Sequence, residues 1–312
     1  MLATAKDLDR VLARRFLVVA GKGGVGKSTV SAVLARVAAG RGKRVLVVEL
    51  GGRERVARLL GHPEPVGYTP TRVLPNVHVI NVQPGVAQRE YGLMKLRFER
   101  VYDLVFENPL MRSLTRWIPG MNELVLIGKA WHLEQEREAG RPRWDTLIVD
   151  APATGHGISL LQLPHVVTEN VKRGPLAEEV LVIRDMLTDA DRTCMSLVTL
   201  CEEMPVRETL DLERAMQDTL RIAPGLLVLN GLYPERPTPA VQHRLAQLEG
   251  SSSAARAALF LSERRRVQES HRALLDSRSQ LPQVALPYVF RPEFDAAAVE
   301  SLARELEHST TC

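Results

Sequence analysis

Phe16-Leu-Val-Val-Ala20-Gly21-Lys22-Gly23-Gly24-Val25-Gly26-Lys27-Ser28-Thr29 decides how the rest of the chain is read. A short, wholly apolar run leads into a glycine-rich loop. From Ser28 to Arg41 the residues Val30, Val33, Leu34, Val37 and Ala38 then recur at helical spacing. Gly21, Gly26, Lys27 and Ser28 satisfy G-x-x-x-x-G-K-[ST], a pattern that chance would produce in about one chain of this length in a hundred. Its position between a buried strand and a helix is the context that phosphate binding requires. Glycines let the backbone curl so that its N–H groups point inward, and the helix N-terminus adds partial positive charge. Lys27 is placed to reach the β- and γ-phosphates, Ser28 to ligate Mg²⁺, and Gly23, Gly24, Val25, Gly26 and Thr29 to line the phosphates.

Working outward, Arg44–Glu49, Val77–Val82, Asp145–Asp150, Met195–Leu200, Leu226–Leu229 and Val284–Leu286 are apolar runs of strand length. A charged helix is expected near Arg53–Leu60. Strand, helix and strand at this pitch imply right-handed βαβ units. The expected fold is α/β, a doubly wound and mainly parallel sheet carrying an inserted helical layer. Residues 1–312 read as one P-loop domain, with helical excursions at about 85–140 and 159–192. Breaks are expected at Pro164, at Gly174-Pro175 and in a loop at Gly250–Ser253.

Composition fits this reading. Hydrophobic residues make up 45% of the 312 and charged residues 25%, while aromatics reach only 4%, so Leu, Val, Ala and Ile must fill the core. A net charge of +4 is spread along the chain, which disfavours nucleic acid as a partner. Cys194, Cys201 and Cys312 show neither C-x-x-C spacing nor paired histidines, so a disulfide framework and a zinc site are disfavoured and a cytoplasmic location is expected. No apolar run approaches the ~18 residues of a membrane span, and no signal peptide is expected from the charged, amphipathic Met1–Arg15.

Lys22 departs from the ordinary phosphate loop. In the form K-G-G-x-G-K-S the loop resembles the deviant Walker A class, which includes the ParA/MinD partitioning proteins and the arsenical-pump and tail-anchored-protein-targeting ATPases (the ArsA/GET type). The resemblance implies a dimer in which this first lysine reaches the partner's nucleotide, much as an arginine finger does. Asp145-Thr-Leu-Ile-Val-Asp150-Ala-Pro-Ala-Thr154-Gly155-His156-Gly157-Ile-Ser-Leu-Leu-Gln162-Leu-Pro164 is similar to the D-T-A-P-T-G-H and L-L-Q-L-P segments of the arsenical-pump and targeting branch. By that likeness Asp150 holds Mg²⁺ through water, and Thr154, Gly155 and His156 form a switch that senses the γ-phosphate. Ile118–Glu123, Val206-Arg-Glu208-Thr209, Leu227–Asn230 and Leu286-Pro287-Tyr288 resemble further family segments. These imply Asn230, Pro287 and Tyr288 at the adenine. ATP and Mg²⁺ are the implied cofactors. The implied assembly is a homodimer or a heterodimer with a paralogue, with a protein client or membrane-protein partner.

The likeness fails at one place. Family members carry an Asp just beyond the second strand that orients the attacking water, and here Gly51 stands there. Three readings stand side by side: ATP is bound but turned over slowly, Glu49 or Glu54 substitutes, or the alignment is off by a residue or two. Glu49, at the earlier acidic position, is a candidate to support Mg²⁺. The single half-length unit lacks the paired cysteines of a metalloid pump and the C-x-x-C of a zinc-stapled dimer. Met94, Phe98, Tyr102 and Phe106 recur every four residues as one helical stripe. The resemblance implies a client groove for an apolar, hydrophobic helix there, and the other reading is a small helical layer packing on itself or on a partner subunit. Arg264-Arg-Arg266 reads as a solvated face.

Overall fold

The structure is a computed structural model that describes residues 1–51, 54–96, 121–152, 154–170, 175–248, 250 and 252–311. In chain order its elements are α1 (Ala5–Ala13), β1 (Phe16–Ala20), α2 (Lys27–Gly40), β2 (Val45–Leu50), α3 (Val56–Leu59), β3 (Thr71–Leu74), β4 (Val77–Val82) and α4 (Pro84–Leu96). Next come α5 (Met121–Gln135), a small hairpin of β5 (Arg137–Glu138) and β6 (Arg141–Pro142), β7 (Thr146–Asp150), α6 (Thr154–Asn170) and α7 (Pro175–Thr188). The chain continues through β8 (Thr193–Leu200), α8 (Glu203–Ala215) with a π-helical turn at Met216–Leu220, β9 (Pro224–Leu232), α9 (Pro239–Leu248), α10 (Ser253–Arg278), β10 (Gln283–Pro287) and α11 (Ala296–Thr311).

Eight strands form one sheet in the order β10-β9-β8-β1-β7-β2-β4-β3. All neighbours pair in parallel except β3, which runs antiparallel to β4 at the edge. Alternation along the strands sends side chains to two separate cores. Phe16, Val18, Leu46, Val48, Leu147 and Val149 face α5, α6, α7 and α8. Leu17, Val19, Val45, Val47 and Ile148 face α1, α2, α3 and α11. Every residue of β1, β2 and β7 is buried, so the alternation appears in packing and not in the polarity of the sequence. The doubly wound α/β fold is the one expected, and the six apolar runs after β1 are strands with ends moved by a few residues.

Four details differ from expectation. β3 went unrecognised: Thr71-Arg-Val-Leu74 is a half-buried edge strand of four residues between Pro70 and the Pro75-Asn76 turn, where no long apolar run marks it. The helix expected at Arg53–Leu60 shrinks to the single turn Val56–Leu59. Pro164 does not end its helix. α6 passes straight through it, because Leu160 and Leu161 are anchored in the core and offset the lost backbone hydrogen bond. Arg264–Arg266 lies on α10 but is not uniformly solvated. Arg265 is buried, and its guanidinium donates to the Tyr233 carbonyl at 2.8 Å. Cys194 and Cys201 are both buried free thiols, pushed up by burial to about 12 and about 11. Of the stripe, Phe98, Tyr102 and Phe106 lie outside the described residues, as does the side chain of Met94.

At the N-terminal ends of β1 and β8 a buried acid ties two strands to the helical layer. Glu134 of α5 pairs with Arg15 at 3.0 Å and with Arg192, while Arg15 also donates to the Glu134 carbonyl. The carboxylate is buried and the guanidiniums are largely so, so removing it strands two cations. Glu134→Ala is expected to lower the unfolding free energy by about 2–3 kcal/mol. Urea denaturation checks this, and a loss below about 0.5 kcal/mol, the scatter of ordinary surface changes, contradicts it.

Candidate functional site

Parallel strands deliver their C-terminal ends to one edge of the sheet, and there the loop Gly21–Gly26 leaves β1 and enters α2. Two glycines are dictated by close approach. A Cβ on Gly21 would lie 2.2 Å from the Val198 carbonyl oxygen. One on Gly26, whose φ is 96°, would lie 2.2 Å from the Asn230 amide nitrogen. The loop is thus wedged between β8 and β9 on one side and opens toward β7 on the other. Asn230, at the end of β9, donates to the Val25 carbonyl at 2.9 Å and so braces the loop from outside. Gly23 and Gly24 are exposed at its tip, while Val25 is buried beneath it.

The Lys27 ammonium curls back over the loop and donates to the carbonyls of Gly21 and Lys22, at 3.1 Å each. Burial lowers its pKa, the Asp150 charge raises it, and the positive charge of Arg55 lowers it again. Ser28, in the first turn of α2, donates to the Asp150 carboxylate at 2.6 Å, and Ser31 one turn later donates to its other oxygen at 3.3 Å. Asp150 is the last residue of β7 and is buried. Burial pushes its carboxyl up, against the Ser28 hydrogen bond and the Lys27 charge. Thr29 shares the first turn of α2. A serine hydroxyl beside a buried carboxylate at a phosphate loop is a hard-oxygen donor pair that suits Mg²⁺ held partly through water and phosphate. Among the described residues no cluster of three His, Cys, Asp or Glu groups forms a self-contained metal cage.

Lys22 points away from its own loop. Its ammonium lies 2.6 Å from a carboxylate oxygen of Glu208 on α8, and both side chains are part-exposed. Glu49 sits beside Asp150 in the β2–β7 register and is buried. One of its oxygens accepts the backbone N–H groups of Arg55 (2.7 Å) and Val56 (2.9 Å), so it holds the start of α3. Its other oxygen is buried without a partner among the described residues, as are both side-chain polar atoms of Asn81, the next residue across the register on β4. Glu54, the other acidic candidate, accepts the N–H of Val66 at 3.1 Å and braces the following loop. Gly51 adopts a φ of 101°, and the position where a Cβ would sit has nothing within 4 Å. The helix α6 begins at Thr154, but the side chains of Thr154 and His156 lie outside the described residues.

Farther along the same edge, Pro287 ends β10, three places from β1 in the sheet, and Tyr288 follows it. Tyr288 donates its N–H to the Leu232 carbonyl and stacks on Tyr233, with ring centroids 5.1 Å apart, while Phe290 tilts against it at 4.8 Å. The structure therefore gathers the expected loop residues, Asp150, Glu49 and Asn230 around one strand edge, with Pro287 and Tyr288 at its end. No motif announced Asn81, Tyr233 or the pairing of Lys22 with Glu208.

Desolvation raises the Glu49 carboxyl from an ordinary 4.5 to about 7, although the two amide hydrogen bonds favour its charged form. Between those values the folded chain holds a proton that the unfolded chain has released, so stability from this group falls as pH rises through the window. Glu49→Gln keeps an acceptor for Arg55 and Val56 but cannot ionise. Relative to the parent it is expected to gain up to about 3 kcal/mol between pH 4.5 and pH 7.5. Urea unfolding of both proteins at the two pH values measures this, and a pH-independent difference contradicts it.

Comparison with known proteins follows the same lines. The family model of anion-transporting ATPases, the ArsA ATPases, matches residues 14–180. The chain is 31% identical over 266 residues to the ATPase BagA of Mycobacterium tuberculosis, covering 81% of this chain and 75% of that protein. It is 27% identical over 233 residues to a putative arsenical pump-driving ATPase of Prosthecochloris vibrioformis, covering 63% of this chain and 56% of the relative. Against the arsenical pump-driving ATPase of Escherichia coli it is 25% identical over 247 residues, 74% of this chain but only 41% of that protein. With its phosphate loop, its parallel sheet and a family match over more than half its length, the chain belongs to the ArsA-type ATPase family.

Proposed function

We propose that this chain is an ATP- and Mg²⁺-dependent switch in which residues 1–312 act as one P-loop domain, two copies or two paralogues close around nucleotide, and the nucleotide state is passed to a protein partner. The observation that carries the reading is the Ser28–Asp150 hydrogen bond of 2.6 Å beside the Lys27 ammonium. It supports a site where the triphosphate would replace the Gly21 and Lys22 carbonyls as the partner of Lys27. Ser28 and Asp150 would share Mg²⁺, directly and through water, and Mg²⁺ when bound would neutralise charge building on the phosphates. Lys22 and His156 keep their roles at the partner's phosphates and in the switch as part of this proposal. Asn230, Pro287 and Tyr288 keep theirs at the base. Because Lys22 is paired with Glu208 in its own subunit, closing the dimer requires it to exchange one anion for another. A cytoplasmic setting is part of the proposal; among the described residues no helix is long and apolar enough to cross a membrane.

A second reading, a nucleotide-binding regulator with little turnover, is favoured by Gly51. No carboxylate stands at that position, and Glu49 is committed to the amides of α3. Steady-state phosphate release separates the two readings. Under the first, turnover is measurable and Lys27→Ala abolishes it together with ATP binding. Background turnover with intact ATP binding supports the second. Lys22→Ala is expected to bind ATP within about threefold of the parent but to remain monomeric with a non-hydrolysable analogue, since its charge is spent across the interface. Light scattering after size exclusion reads this, and an undiminished dimer would remove the trans role of Lys22.

A further inference from the structure

Arg55 stands immediately before α3, on the segment that follows Gly51, and matches none of the sequence signals of the site. Its backbone is fixed and its side chain is not. The N–H is gripped by Glu49 at 2.7 Å, and Glu49 is the register neighbour of Asp150, whose carboxylate holds Ser28 at 2.6 Å. Two hydrogen bonds and one strand pairing thus link the Arg55 backbone to the phosphate loop. The residue is exposed, and among the described residues its guanidinium makes no hydrogen bond or ion pair. Three acids belong to the same neighbourhood: Glu54 precedes it in the chain, Glu49 holds its N–H, and Asp150 is the register neighbour of Glu49. The three acids are otherwise engaged: Glu49 with α3 amides, Glu54 with the Val66 amide, and Asp150 with Ser28 and Ser31. Nearby cations are also engaged, Lys22 by Glu208 and Lys27 by two carbonyls. The charge of Arg55 nevertheless acts on both Lys27 and Asp150.

We propose that Arg55 is a cis-acting arginine that binds the terminal phosphate of the nucleoside triphosphate and so distinguishes triphosphate from diphosphate. A guanidinium is suited to this. Its planar donors match phosphate oxygens bidentately, and its charge stabilises the transition state in which the bond to the leaving nucleoside diphosphate breaks. Gly51 gives the assignment added weight. The segment lacks an acid to orient water at that position, yet it supplies an arginine four residues later on a tethered backbone. Closing Arg55 onto the terminal phosphate would pull on the same N–H that Glu49 holds, so the γ-phosphate would be reported to α3 and through it to the packing of α2 and α11.

The inference rests on the nucleoside-triphosphate reading above and is tested separately from it. Affinities of the full chain with Mg²⁺ are measured by calorimetry for ADP and for the β,γ-imido analogue of ATP. The parent, Arg55→Ala, Arg55→Lys and Arg58→Ala, an exposed neighbour one turn along, are compared. Arg55→Ala is expected to bind ADP within about twofold of the parent but the triphosphate about tenfold more weakly, a loss of about 1.4 kcal/mol. Arg55→Lys should recover only part of this, Arg58→Ala should leave both affinities unchanged, and millimolar guanidinium should restore the preference of Arg55→Ala. An unchanged ratio of triphosphate to diphosphate affinity in Arg55→Ala overturns the proposal, as does equal loss of both. If the parent itself binds neither nucleotide, the nucleotide reading falls and this inference with it. If the parent binds both and only the ratio fails to move, this inference falls alone.

Discussion

The hydrogen bond from Ser28 to Asp150 ties together the two elements on which the rest of the site is hung. Ser28 opens α2, and Asp150 closes β7, a fully buried strand between β1 and β2. A hydrogen bond to a charged acceptor contributes about 1.5–3 kcal/mol, and breaking this one would leave the buried carboxylate with only the longer Ser31 bond of 3.3 Å. The bond therefore fixes the helix N-terminus against the sheet edge and keeps the phosphate loop from drifting off β1. Everything nearby is measured from it. Glu49 lies one strand away and Asn81 two.

A second constraint is steric. Gly21 is pressed against the Val198 carbonyl and Gly26 against the Asn230 side chain, so β8 and β9 serve as a wall on which the loop is formed. A phosphate site made this way is largely preorganised, since its backbone donors cannot relax outward. Such rigidity contrasts with the segment after β2. There Gly51 stands in open space, α3 is one turn long, and Glu49 and Glu54 grip backbone amides in place of side chains. A stiff loop beside a segment held by a few charge-assisted hydrogen bonds is the arrangement expected where a ligand is to move one part against another. The family match, residues 14–180, spans both the stiff loop and the segment after β2.

How far the sequence could be read follows from how local each feature is. The Gly21–Ser28 loop, the strand before it and the helix behind it are local, and their motif carries its own geometry. Strands buried on both faces, such as Phe16–Ala20 and Val45–Leu50, are legible as unbroken apolar runs because no residue in them meets water. Thr71–Leu74 was not legible, since an edge strand is half exposed and needs few apolar residues. Pro164 misled for the opposite reason: a local rule says that proline ends helices, and buried neighbours overruled it.

By itself, then, the sequence determined the fold class, the phosphate loop and the identity of its lysines and serine, because each depends on residues within about one βα unit of each other. Only the tertiary structure decided that Lys22 rests on Glu208, 186 residues away, and that Asn230 braces the loop from β9. It also decided that Glu49 is committed to the backbone of Arg55 and Val56, while the guanidinium of Arg55 is left without a hydrogen bond or ion pair among the described residues. The physical reason is that a partner is a matter of distance in space. Side chains far apart in the chain are brought within 3 Å by strand order, and no spacing along one segment encodes that order.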